Sequence, residues 1–472
     1  MNKLPTIAKI RQEIETTEVA RSVNFLKSKS GELGKFEDVE DLVFQVDLDN
    51  PPTQLRGVDF NFRRVRTALA KALWSRGLFI GLSVLDDLLF AAFRDSTISD
   101  PITHALAVIK TNAVHKPGFV LYPIHSLGVN GVGFLEFFTK STVQLVIPSA
   151  GLLLRPQTNS MDGSLQFLEA AREAFSISPT ISRDSVEHYH RSRSTKWLIH
   201  NPLLAVRVRM FSGTYYENQQ FLVIKLKIAT SILFMMAALQ RGFSPGRPDV
   251  WGSTRRVNNF QTLDIHHYMV FERPVRGGRL NTKCIPMNVR PGELSDLSAL
   301  PIDLAPKLWS RRTLLVNELA RHLAQIETGY MELHVLGNGK GARAKAFAKI
   351  FSGLTYFRRS FKSRGDASEQ VVNLAIAFEV LLTPKYARGV GERVERRIRL
   401  ALKGIKGSRH LQAATRDLYR ARSEVVHEGS TSVVYDLSSG QEAFVYVFLG
   451  VARKLGKIPA NTGDPIGAIL GD

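Results

Sequence analysis

The chain has 472 residues, room for two or three domains of ordinary size. Hydrophobic residues make up 44% and charged residues 22%, enough to bury a sizeable core and too few charges for a disordered chain. Sixty-three Lys and Arg against 43 Asp and Glu give +20, a balance that favours a polyanionic partner: RNA, DNA or an anionic membrane.

The first residues are polar and lack the apolar run of a signal peptide. Over residues 60–93 Val65, Leu69, Leu73, Leu82, Leu85, Leu88 and Leu89 recur at helical spacing. Between residues 118 and 154 the pattern changes to short aromatic and β-branched runs, FVLYPI, VGFLEFF and TVQLVI. With Asn130-Gly131 as a hairpin turn, these predict a small antiparallel sheet. Helical periodicity returns over residues 164–175 and 221–240. The second of these holds Lys225 and Lys227 and falls short of the roughly 20 charge-free residues that span a bilayer.

Pro and Gly clusters at 244–248 and 286–301 mark loops. The single cysteine, Cys284, excludes an internal disulfide framework and a zinc site with two thiolates. That fits a reducing compartment, and a soluble cytoplasmic protein with no membrane partner is expected. His188 and His190, and His266 and His267, have no carboxylate or thiolate at ligand spacing, so neither metal nor cofactor is expected. Gly337 to Gly341 lacks a phosphate-loop pattern.

From residue 306 the pattern is more legible. Residues 301–472 carry 27 Lys and Arg against 16 Asp and Glu, so more than half of the net charge sits in this last third. Leu308, Leu315, Leu319, Leu323, Ile326 and Tyr330 mark a first long helix. Phe347, Ile350, Phe351, Leu354 and Phe361 mark a second. A third starts at Asp366, with Glu369 placed for a capping exchange, and ends before Pro384. A fourth covers about 391–402, a fifth 411–427 with Gly429 as its cap, and a sixth 441–455. The fold expected is mainly α: an antiparallel bundle over residues 306–458, a largely helical region with a small sheet over 1–305, and a tail over 459–472.

The third helix is apolar almost all round, which places it mid-bundle. Glu379 is the one charge in its last three turns, and a buried carboxylate needs a cation, a proton or water. On the fifth helix Leu411, Leu418 and Val425 form the stripe, and Arg422 falls on it four residues after Leu418. Glu379 is its natural partner, as a structural ion pair or as part of a site. His427 lies in the last turn of the same helix, either as a cap or as a group for proton transfer. Helix geometry sets Arg420, Ser423 and His427 on one face and Arg422 about 140° from His427.

The strings AFEVLLTP and LYRARSEVVHEG, with Arg422 and His427 separated by four residues, resemble the HEPN superfamily, and within it the Apea-like branch. The likeness covers about 150 residues, from Pro306 to about Leu455, and does not extend to the first 300. It implies a helical bundle that pairs through its motif helices into a homodimer with a composite cleft. Many members are metal-independent endoribonucleases. Carried over, Arg422 and His427 would act at the scissile phosphate, with Glu379 as supporting acid and 2′,3′-cyclic phosphate ends as products. Phage defence or a toxin-like stress response are roles that the resemblance implies. Ser423 stands where catalytic members often have Asn, Asp or His. The string places the motif arginine before serine, which selects Arg422, whereas geometry selects Arg420; both stay open.

Two basic runs flank these helices. Residues 340–364 hold eight Lys and Arg and no acid; residues 385–409 hold nine against Glu392 and Glu395. Arg393, Arg396 and Arg397, with Arg420 and Ser423, are the candidate RNA contacts; the bland alternative is a solvated helix face. The expected activity is RNA cleavage. Its rival is a non-catalytic RNA-binding or scaffold protein that uses the bundle to dimerise.

Overall fold

The computed structural model describes residues 7–47, 52–74, 80–112, 115–124, 128–130, 145–147, 151–155, 160–192, 195–211, 219–243, 267–272, 278–287, 292–297, 300–303, 309–336, 339–361, 367–384, 389–430 and 433–472. The protein is mainly helical with a small sheet in its N-terminal half, as the periodicities predict. Two compact units divide it: Met1–Gly118 with Val208–Leu222 and Glu272–Leu280, and Phe119–Arg207 with Val223–Phe271 and Asn281–Asp472. The division does not fall at residue 305, because the C-terminal bundle and most of the sheet share the second unit.

The first unit is built on helices α1 (Ile7–Ile14), α2 (Thr17–Ser28), α3 (Ser30–Leu33), α4 (Val39–Asp47), α5 (Thr53–Trp74), α6 (Leu82–Arg94) and α7 (Pro101–Asn112). Helix α5 buries Val58, Phe62, Val65, Leu69 and Leu73, one face at threes and fours, and α1, α2, α4 and α6 pack on it. Its Arg66 meets Asp86 of α6 at 3.2 Å. Burial nonetheless pushes the Asp86 carboxyl up to about 6, against the pull of Arg66. A folded-state value above the ordinary one means that Asp86 favours folding most at low pH, and that this contribution fades as pH rises through about 6. Asp86→Asn is therefore expected to gain stability relative to the parent chain as pH rises from 4 to 8, by about 2 kcal/mol. Urea unfolding at both ends of that range measures it.

The sheet has the order β3-β4-β5-β1-β6-β7, with β1 His115–Pro123, β3 Leu145–Ile147, β4 Leu152–Arg155, β5 Leu203–Phe211, β6 His267–Glu272 and β7 Asn281–Pro286. It is antiparallel where β3 meets β4 (Ile147 opposite Leu152) and where β4 meets β5 (Arg155 opposite Leu203). Phe119 and Phe271 stack at 4.6 Å in its core. The expected runs FVLYPI and TVQLVI supply β1 and β3, whereas VGFLEFF and the Gly131 of the expected hairpin lie outside the described residues. Asn130 ends a short strand, β2 (Gly128–Asn130), that runs parallel to β8 (Pro301–Asp303). Helices α8 (Met161–Ala174), α9 (Arg183–Arg191) and α10 (Trp197–His200) lie between the strands in sequence. Cys284 is partly exposed on β7. Among the described residues no helix is long and apolar enough to cross a membrane.

The bundle follows: α13 (Thr313–Tyr330), α14 (Ala342–Arg359), α15 (Ala367–Leu382), α16 (Val390–Ala401), α17 (Ser408–Glu428) and α18 (Leu437–Ala452), after α11 (Gln219–Phe243) and the short α12 (Gly292–Asp296). Helix α15 touches α14, α16, α17 and α18, the central place its all-round apolar sequence predicts. At the α16–α18 crossing a side chain on Gly450 would run into the Ala401 carbonyl, so that glycine sets how closely the helices approach.

Two features differ from what the sequence pattern predicts. Residues 459–472, expected as a tail, carry α19 (Pro465–Leu470), which buries Ile466, Ile469 and Leu470 against the bundle. Asp464 accepts a hydrogen bond from Gly467 and Pro465 opens the helix. The second feature is α11, which packs on the bundle through Phe234 and Phe361 at 5.2 Å. Around it, buried Arg358 meets Glu293 at 3.3 Å and Asp296 at 3.5 Å, and Lys227 meets Glu293 at 3.8 Å.

Candidate functional site

Helix α17 carries the motif residues. Leu411, Ala414, Thr415, Leu418 and Ala421 are buried along one face, and Gly429 ends the helix in the left-handed conformation at φ 68°. Arg422, next on that stripe, turns toward α15 and reaches Glu379 at 3.6 Å, with both side chains largely buried. The contact is too long for a good hydrogen bond. The Arg422 Nε is itself buried without a hydrogen-bond partner. The guanidinium is thus held by one ion pair and keeps donors unspent.

The electrostatics follow from burial. Desolvation pushes the Glu379 carboxyl above its ordinary value, and Arg422 only partly offsets this. Tyr419, on the same turn, has its phenol pushed up by burial first and by the Glu379 charge second. Its hydroxyl donates to the Ala375 carbonyl at 3.5 Å. Glu379, Arg422 and Tyr419 therefore form a half-buried polar cluster where α15 and α17 meet. Sequence reasoning gave Tyr419 only as part of the motif string and missed its place in the cluster.

His427, Ser423 and Arg420 are exposed on another face of α17. Arg420 pairs with Asp417 at 2.9 Å. The 140° between Arg422 and His427 is thus realised: within one chain the helix directs arginine to the α15 carboxylate and histidine to solvent. Exposed Val426 adjoins His427, and Val434 beyond the helix is fully exposed.

The candidate RNA contacts divide. Arg393 is half-buried on α16 and Arg396 is exposed but paired with Asp472. Arg397 requires a correction. It is 4% exposed, and its guanidinium donates to the Leu382 carbonyl and to the carboxylates of Asp464 and Asp472. It therefore joins α15, α16 and α19 from inside and has no surface to offer RNA. The first basic run is partly structural as well. Arg358 is buried in its ion network, and Lys349 donates to the Val380 and Thr383 carbonyls at the end of α15. Residues 362–366 and 385–388 lie outside the described residues.

Among the described residues no group of three or more His, Cys, Asp or Glu is placed to hold a metal ion. In the first unit an open cleft of about 500 Å³ is lined by Glu37, Asp38, Asp87 and Asp95 with Arg94 as the one cation. Its acidic wall repels a phosphate backbone. Comparison with protein-family models, with curated proteins and with solved structures finds no match for this chain.

Proposed function

We propose that the chain is a metal-independent endoribonuclease of HEPN type, acting as a homodimer through its bundle. The observation that carries the reading is the Arg422–Glu379 pair at 3.6 Å, half-buried on the motif helix that ends in exposed His427. RNA brings its own nucleophile. The 2′-hydroxyl attacks the adjacent phosphorus, the bond to the 5′-oxygen breaks, and a 2′,3′-cyclic phosphate and a 5′-hydroxyl result.

The protein has to stabilise charge on the phosphate and move two protons, one off the nucleophile and one onto the leaving oxygen. Arg422 supplies the first need with its unspent guanidinium donors. His427 takes or gives a proton. Glu379 orients Arg422 from the neighbouring helix. Because α17 points its arginine and histidine about 140° apart, a second copy is needed to set both kinds of group around one cleft. Val426 and Val434, apolar and exposed at that end of the bundle, support such a pairing.

The second reading, a non-catalytic RNA-binding or scaffold protein, is favoured by the same ion pair, since Arg422 already has a partner. Labelled total RNA incubated with the chain in EDTA separates them. Fragments ending in 2′,3′-cyclic phosphate are the expected result; intact RNA bound by a dimeric chain decides for the scaffold.

A further inference from the structure

We propose that the turn between α16 and α17, with the cations around it, is where the chain grips the RNA backbone, apart from the chemistry at the far end of α17; this rests on RNA being the ligand. Between Arg396 and Arg416 the sequence holds seven Lys and Arg and no acid. The structure sorts those seven. Arg397 is buried, Arg396 is paired with Asp472, and Arg416 faces Glu395 at 3.7 Å. Arg399, Lys403, Lys406 and Arg409 are exposed and make no ion pair with any described residue.

That difference decides where a polyanion binds. A surface cation whose charge is already offset by a facing carboxylate adds less to backbone binding than a solvated, unpaired one, which releases its full share of counterions. Of the arginines nominated from sequence, Arg396, Arg397 and Arg420 are paired, and Arg393 is half-buried on α16. Within this run the unpaired cations cluster at the turn instead.

The turn's shape suits the task. Lys403, Lys406 and Arg409 recur every third residue through a bend made by Gly404 and Gly407, at φ 83° and 81°. No atom lies within 4 Å of where a side chain would begin on either glycine, so the bend is open between its cations. Residues 402–410 include no Phe, Tyr or Trp to stack on a base. Such a surface reads phosphates and carries no base preference. Helix α17 has 21 residues, which at about 1.5 Å each puts the turn roughly 30 Å from His427. A long RNA touches both places; a dinucleotide at His427 does not reach the turn.

The test is the full chain with Lys403→Gln, Lys406→Gln and Arg409→Gln together, in a His427→Ala background that leaves the RNA uncut. Binding to a long single-stranded RNA is followed by fluorescence anisotropy over a salt series in EDTA. The triple change is expected to weaken binding and to flatten the plot of log affinity against log salt by about 2, near 0.7 per lost contact on a single strand. Arg396→Gln with Arg420→Gln is expected to leave that slope in place. An unchanged affinity and slope in the triple variant overturns the proposal. So does binding to phosphatidylserine vesicles with none to RNA.

The nuclease reading fails separately. A chain that binds RNA through the turn and never cuts it keeps this inference and ends that one. With histidine restored, the triple variant is expected to cleave a dinucleotide at the parent rate and long RNA more slowly.

Discussion

His427→Ala is expected to lower RNA cleavage by about a hundred- to ten-thousand-fold, the usual worth of positioned proton transfer. The change should leave folding intact, because His427 is exposed in the last turn of α17. Unfolding and dimer formation therefore serve as controls that this variant passes. Arg422→Ala is a different case. It removes a cation from a carboxylate that burial already disfavours, so stability falls along with activity. Arg422→Lys separates the two effects: it keeps a positive charge near Glu379 and loses the planar fork. A fall in cleavage with stability retained identifies the fork as the working part. Full cleavage by the His427→Ala variant would remove the proton-transfer group from the mechanism.

The helices of the bundle were legible because each buries one face at threes and fours, and α15 because it has no polar face at all. The Arg422–Glu379 meeting was legible for the same reason, since stripe arithmetic on α17 and the lone charge on α15 leave little choice of partner. The sheet was only half legible. Strands β5, β6 and β7 gain their partners from segments far away in sequence, and β6 is buried along nearly its whole length, which erases the alternation that reveals a strand.

Not every cation in the two basic runs faces outward. Arg397 lies among Val394, Ile398 and Ala401 on the buried side of α16, and Arg358 lies between Leu354 and Phe361. Their spacing marked both as inward-facing. The turn cations lie in the second of these runs, and what distinguishes them is the lack of a facing acid, a property of the folded chain alone.

Arg397 is where the largest stability effect is expected. Its side chain is 5% exposed, the Asp472 side chain is 4% exposed, and the fork spans Asp472, Asp464 and the Leu382 carbonyl. Removing one partner of such a pair leaves the other charge buried, so Arg397→Ala is expected to cost about 3–5 kcal/mol. Lysine should not restore it, because a point charge cannot satisfy three separated acceptors. Arg396→Ala, which removes an exposed side chain and leaves Arg397 on Asp472, is expected to cost less. The pH dependence follows from Asp472, whose carboxyl is held below its ordinary value by hydrogen bonds from Arg396 and then Arg397, against the opposing effect of burial. A lowered folded-state value means that the stabilisation is present above the ordinary carboxylate range, near pH 4, and is lost as pH falls through the folded value. The gap between the parent chain and Arg397→Ala, read from urea unfolding, should therefore be widest at neutral pH and close below pH 4. If Arg397→Ala instead unfolds like the parent chain and loses RNA affinity, the arginine works at the surface and the α19 contact is not what it serves.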